Sequence, residues 1–163
     1  MTGQFALTDD QLAIQETAQR FTADHITPFA AQWDEDHHFP RDVIQKTGEL
    51  GFGAIYVSEE SGGIALGRLE AALIMEAMAY GCPATSAYVS IHNMASWMID
   101  RFGSQAVKDK YLPSLIGMDK LASLSMPIRL GRYLALTASE PKRSIIQLAM
   151  LWIEMKALVE GQP

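Results

Sequence analysis

The sequence predicts an all-α protein, a bundle of helices followed by one further helix. Through its first three quarters, apolar residues recur at three- and four-residue spacing. Capping and breaking residues punctuate the segments where one helix should stop and the next begin. The period-two alternation of a half-buried strand is almost absent.

The first helix is read over about 9–24, in LTDDQLAIQETAQRFTADHI. Thr8 followed by Gln11 is a capping-box pattern, in which a hydroxyl and an amide satisfy each other's backbone N–H. Leu12, Ala18 and Phe21 then follow at roughly helical spacing. A second helix should begin at Thr27-Pro28, with proline in the first turn where its missing N–H does no harm, and run through Trp33 into DEDHHFP. A third should start near Pro40 and stop at Gly51. GFGAIYVSEESGG reads as a turn region with a short extended piece at Ile55–Val57, and Gly62-Gly63 supply the backbone freedom to leave it. Residues 66–79 are rich in Ala, Leu and Met, all strong helix formers.

Gly81 should end that fourth helix, and Pro83 should help start a fifth. In the fifth, Ala84, Ala87, Ile91, Met94, Met98 and Phe102 form one stripe, and Tyr88, Val89, Trp97 and Ile99 extend apolar character round the cylinder. A helix apolar on most faces belongs inside a bundle. His92 and Asn93 in the middle of it are therefore unexpected. A buried imidazole or amide must find hydrogen-bond partners, and packing roles account for the pair better than catalysis does. SQAVKDKYLPSLI predicts a shorter helix that Pro113 bends or ends.

After Ser123 the character changes. LSMPIRLGRYLALTA has no clear period and reads as coil or weak strand. SEPKRSIIQLAMLWIEMKALVEG then predicts a helix at about 140–160, with Ile145, Leu148, Trp152, Met155 and Val159 on one face. The charge shifts at the same point: residues 1–123 hold 16 acidic and 8 basic side chains, residues 124–163 hold 3 and 5. The chain thus divides into a domain at 1–123 and a tail at 124–163.

Hydrophobic residues at 48% and charged residues at 20%, with mean hydropathy near zero, are the balance of an ordinary soluble globular protein. A net charge of −6 argues against nucleic acid or an anionic membrane as the main partner. Cys82 is the only cysteine, so no internal disulfide can form, and a small buried hydrophobe in a reducing compartment is expected. The opening MTGQFALTDDQ has neither a secretory nor a transit-peptide pattern, and no apolar run reaches membrane-spanning length. A cytoplasmic location is expected.

Motifs that would carry chemistry are weak. Asp34–His38 collects carboxylates and imidazoles, but adjacent helical residues point in different directions and a metal site would need ligands from elsewhere. Glu59–Gly63 lacks the lysine and spacing of a phosphate-binding loop, and no G-x-S-x-G nucleophile elbow is present. A turn and a solvated helix end are the plainer readings.

Three stretches carry a family resemblance: FPRDVIQKTGELGFGAIYV, the EESGG turn, and AYGCPATSAYVSIHNMASWMIDRFG followed by KDKYLPSLIGMDKLAS. Over about 5–123 the chain resembles the N-terminal helical domain of acyl-CoA dehydrogenases, and SIHNM is most similar to the isobutyryl-CoA branch active in valine breakdown. The resemblance implies an orthogonal helical bundle forming one wall of an acyl pocket, with the fifth helix central. It implies that Ala87, Ser90, Ile91 and Met94 line the acyl-chain end, where bulk restricts chain length. The implied reaction is FAD-dependent α,β-dehydrogenation of a short branched acyl-CoA, with a glutamate base and electrons passed to an electron-transferring flavoprotein. Relatives form homo-oligomers.

The resemblance stops after KLAS. The family continues there with a flavin-binding strand of approximate pattern YCLTEPGSGSD, a β-domain and a C-terminal helical domain that supplies the glutamate, and this sequence reads LSMPIRLGRYLALTASEPKRS instead. A one-base frameshift is one explanation of the change: Ile128–Tyr133 can be encoded as ATC CGG CTC GGA CGC TAT, which read one base later gives Ser-Gly-Ser-Asp-Ala. No catalytic, cofactor-binding or metal-binding residue is therefore assigned, and FAD binding by this chain is not expected. Two functions stay open: the N-terminal part of an acyl-CoA dehydrogenase, inactive by itself, or a catalytically silent helical module that pairs with full-length homologues.

Overall fold

The computed structural model describes residues 6–123, and within them the protein is helical with no strand. The expected weak strand after Ser123 and the expected helix at 140–160 lie outside the described residues. Helix α1 spans Asp9–His25, α2 Ala30–Glu35, α3 Arg41–Glu49, α4 Arg68–Gly81, α5 Pro83–Phe102 and α6 Gln105–Ile116. Among the described residues no helix is long and apolar enough to cross a membrane.

The predicted capping box forms: Thr8 Oγ1 accepts the Gln11 N–H at 3.2 Å, and Gln11 Oε1 accepts the Thr8 N–H at 3.0 Å. The Gln11 amide then donates to Glu70 Oε1 at 2.7 Å, so the cap also ties α1 to α4. Helix α2 starts later than Thr27-Pro28. Residues 26–29 form turns, and the first helical bond runs from the Trp33 N–H to the Phe29 carbonyl at 3.0 Å. Pro113 does not end α6, which continues to Ile116; proline removes one helical bond without stopping the helix.

The extended piece at Ile55–Val57 is not a strand but part of a run of turns. Phe52, Ala54, Ile55 and Val57 are all buried, and such a segment cannot alternate between core and solvent. The chain doubles back over it, with the Leu66 N–H donating to the Ile55 carbonyl at 2.7 Å and the Ala65 N–H to the Val57 carbonyl at 2.9 Å. Of the two glycines expected to free the backbone, Gly62 does so, at φ 90°. Gly63 is small for a different reason, since a Cβ there would run into the Val57 carbonyl.

Helix α4 packs between α1 and α5, and α5 packs in turn on α6. Two apolar clusters result. The larger joins Phe21, Ile26, Ile44, Phe52, Ile55, Ile74, Met78, Val89 and Met118 across α1, α3, α4 and α5. The smaller joins Val57, Ile99, Leu112 and Leu115 between α5 and α6. Each fully buried aliphatic side chain of this kind contributes roughly 1.5–3 kcal/mol. Helix α5 takes part in both clusters.

Candidate functional site

Helix α5 is turned opposite to its sequence pattern. The expected apolar stripe is its outer face: Ala84, Ala87, Ile91, Met94 and Phe102 are exposed and Met98 is half-buried. Ile91, Met94 and Phe102 keep 37%, 48% and 55% of their surface open, whereas His92, Asn93 and Ser96 keep 0%, 1% and 0%. The buried face carries Thr85, Ser86, His92, Asn93, Ser96 and Asp100 beside Val89, Ala95 and Ile99. The expectation that the stripe is what the bundle encloses is thereby corrected.

Five of the inward polar groups, Ser86, His92, Asn93, Ser96 and Asp100, have hydrogen-bond partners. Asn93 Oδ1 accepts the Ile55 N–H at 2.7 Å, and its Nδ2 donates to the carbonyls of Phe52 at 2.6 Å and Val89 at 3.0 Å. This amide takes the place of a partner strand for the 52–55 turn. Ser86 donates to the Met75 carbonyl on α4 at 2.8 Å, and Ser96 donates to the His92 carbonyl at 3.0 Å. His92 reaches the Leu115 carbonyl oxygen from Nε2 at 3.0 Å and accepts the Ala122 N–H at Nδ1 at 3.0 Å. The expected role of His92 and Asn93, packing partners with satisfied valences, is the one the geometry gives them.

Asp100 was not singled out by the sequence pattern, yet it clamps the turn before α4. Its Oδ2 accepts the Ser58 N–H at 2.9 Å, and its Oδ1 accepts the Ser58 hydroxyl at 3.2 Å and the Ser61 hydroxyl at 2.5 Å. Lys108 Nζ adds an ion pair at 3.4 Å. Burial pushes the Asp100 carboxyl up, but the two serines and Lys108 together outweigh it and hold it below the usual aspartate value. The clue in the sequence was the EESGG turn, which supplies the Ser61 hydroxyl and is preceded directly by Ser58.

Ala87, Ser90, Ile91 and Met94, the residues expected at an acyl-chain end, all stand on the outer face of α5 at helical spacing, and all four are exposed. A cleft of 370 Å³ opens where this face meets the α2–α3 connection, lined by Trp33, Asp34, His37, His38, Phe39, Cys82, Ala84 and Tyr88 among others. Phe39 and Tyr88 meet edge to face there, with ring centroids 4.9 Å apart. Asp36, His37 and His38 are exposed just past the end of α2, and Glu59–Ser61 form a single 3-10 turn. No group of three or more metal-ligating side chains is assembled among the described residues.

The cleft does not fit a flavin dinucleotide. Its lining has no Lys or Arg to meet a pyrophosphate, and the Asp34 carboxylate would oppose one.

A helical domain whose central helix buries its polar face and presents an apolar one is the kind of domain that forms one wall of a larger structure. The profile of the acyl-CoA dehydrogenase N-terminal domain matches residues 8–119, and the chain belongs to that family. A mitochondrial isobutyryl-CoA dehydrogenase of Dictyostelium discoideum is 47% identical over 117 residues, which are 72% of this chain and 28% of that protein. Among solved structures, a glutaryl-CoA dehydrogenase in complex with glutaryl-CoA superposes with TM-score 0.69 at 31% identity, over 73% of this chain and 31% of that one. A Bacillus anthracis acyl-CoA dehydrogenase complexed with FAD superposes with TM-score 0.64 at 28% identity, over 75% of this chain and 21% of that one. The chain thus spans under a third of the length of each of these relatives.

Proposed function

We propose that the outer face of α5 is the acyl-side wall of a short, branched-chain acyl-CoA dehydrogenase, with Ala87, Ser90, Ile91 and Met94 setting the room left for the acyl chain. The observation that carries this reading is the inverted helix. Burying Asn93 and His92 while leaving Ile91 and Met94 in water is unfavourable unless the apolar face is covered in the working protein. An acyl group and the rest of an enzyme would supply that cover. The identity to an isobutyryl-CoA dehydrogenase supports isobutyryl-CoA as the substrate type.

In an intact enzyme of this kind a bound FAD would supply the hydride acceptor and a glutamate the base for the α-proton. The cleft beside α5 has no Lys or Arg to meet a flavin pyrophosphate, and no carboxylate stands on the outer face among Ala87, Ser90, Ile91 and Met94. Their task is to exclude water from the thioester side chain and to limit its bulk. On this reading a polypeptide of these 163 residues is inactive by itself. Transfer of electrons to an electron-transferring flavoprotein would depend on the remainder of the enzyme.

The test is a graft. Residues 8–119 replace the matching segment of the Dictyostelium relative, and kcat/KM is measured for isobutyryl-CoA against longer straight-chain thioesters. The flavin-loaded graft is expected to prefer isobutyryl-CoA, and Ile91→Ala with Met94→Ala to shift that preference toward longer chains by about tenfold, the effect of one to two methylenes of pocket. A loaded, folded graft whose preference ignores both substitutions would overturn the assignment. In parallel, the 163-residue protein mixed with FAD and desalted should be colourless, and retained flavin absorbance would contradict its inactivity.

A further inference from the structure

His92 joins α5 to two stretches of chain distant in sequence. A backbone N–H can only donate, so the 3.0 Å contact from the Ala122 amide makes Nδ1 an acceptor without a proton. The ring proton therefore sits on Nε2, donating to the Leu115 carbonyl at 3.0 Å, with Ser96 Oγ 3.4 Å away. The imidazole is neutral and its tautomer is fixed by partners on both sides.

Adding a proton to Nδ1 sets two N–H groups against each other and leaves a cation inside the domain. Among the described residues no carboxylate is arranged to receive that charge. On its own helix Asp100 is engaged by Ser58, Ser61 and Lys108, and Arg101 is exposed. On α6, Asp109 accepts from Gln105, Lys110 lies over the Tyr111 ring, and Tyr111 is half-buried. Asp119 and Lys120 are exposed, and Tyr56, on the loop, lies beneath Arg68. None of these groups hydrogen-bonds the imidazole. Burial holds the His92 pKa below the usual histidine value, and the Leu115 carbonyl offsets this only in part.

We propose that His92 is a pH-operated clasp: protonation at Nδ1 expels the Ala122 amide and frees residues 121–123 from α5 while the helix stays folded. The release is confined to those residues. Met118 is fully buried in the larger core, the Lys120 N–H holds the Ser114 carbonyl at 2.9 Å, and Arg41 Nη2 holds the Asp119 carbonyl at 3.1 Å. The clasp thus sets the position of residues 121–123 on the domain.

The experiment is NMR on the full 163-residue chain labelled with nitrogen-15, titrated from about pH 8 to about pH 4.5, across the histidine range. Imidazole nitrogen shifts give tautomer and protonation, and amide exchange corrected for intrinsic rates gives local protection. At high pH His92 should be the neutral Nε2–H form with Ala122 protected. As it titrates, Ala122 should lose at least tenfold in protection while Val89 and Ile99 on α5 keep theirs. In His92→Asn, whose side-chain oxygen lies near the Nδ1 position and does not titrate, Ala122 should stay protected in acid. An Nδ1–H tautomer at high pH, joint loss of protection at Ala122 and Val89, or an unchanged acid loss in His92→Asn would each overturn the clasp. The tautomer and the pH course of Ala122 protection need no variant and together test the clasp even if His92→Asn does not fold.

Discussion

Replacing Asn93 by Ala strips partners from the Ile55 N–H and the Phe52 carbonyl, both buried, and should destabilise the domain by about 3 kcal/mol. Replacing Met94, the next residue, should change stability by less than about 0.5 kcal/mol, because its side chain stands half in water. Thermal unfolding of the two variants checks this, and a Met94→Ala variant as destabilised as Asn93→Ala would contradict the orientation of α5. At this scale the sequence was partly legible. It showed that His92 and Asn93 needed partners, since polar groups in an apolar helix must be satisfied. It could not show that the partners are the backbone of residues 52–55, 115 and 122, because nothing in side-chain spacing encodes which carbonyls a folded loop brings near.

The elements follow local rules where local rules suffice. The capping box at Thr8 and Gln11 and the proline at the start of α5 fix those helix starts, and both are stated by adjacent residues. The orientation of α5 is not local. Its apolar stripe satisfies the pattern for a buried face, yet Asp100 and Asn93 on the opposite side hold the loop and decide which face turns inward. That clamp should be pH-dependent. With its pKa lowered in the folded state, Asp100 adds stability above the unfolded aspartate value near pH 4, and the contribution fades as pH falls through the lower folded value. Asp100→Asn should therefore be less stable than wild type by about 1–2 kcal/mol at pH 7, with the difference closing toward about pH 2. Urea unfolding at the two pH values measures it, and a constant difference would show that the charge plays no part.

For the molecule as a whole, family and helical architecture were legible because FPRDVIQKTGELGFGAIYV and SIHNM lie inside the matched domain. The outward turn of Ala87, Ile91 and Met94 was not, since an apolar stripe left open to solvent and one packed in a core obey the same spacing. The central claim, that α5 shows Ile91 and Met94 to solvent and hides Ser96, is tested most directly by thiol labelling. Single Ile91→Cys, Met94→Cys and Ser96→Cys variants, each in a Cys82→Ser background, would be treated with a maleimide under native conditions. The account predicts fast labelling at 91 and 94, and labelling at 96 only at the rate of global unfolding. Fast labelling at 96 with protection at 91 and 94 would contradict it.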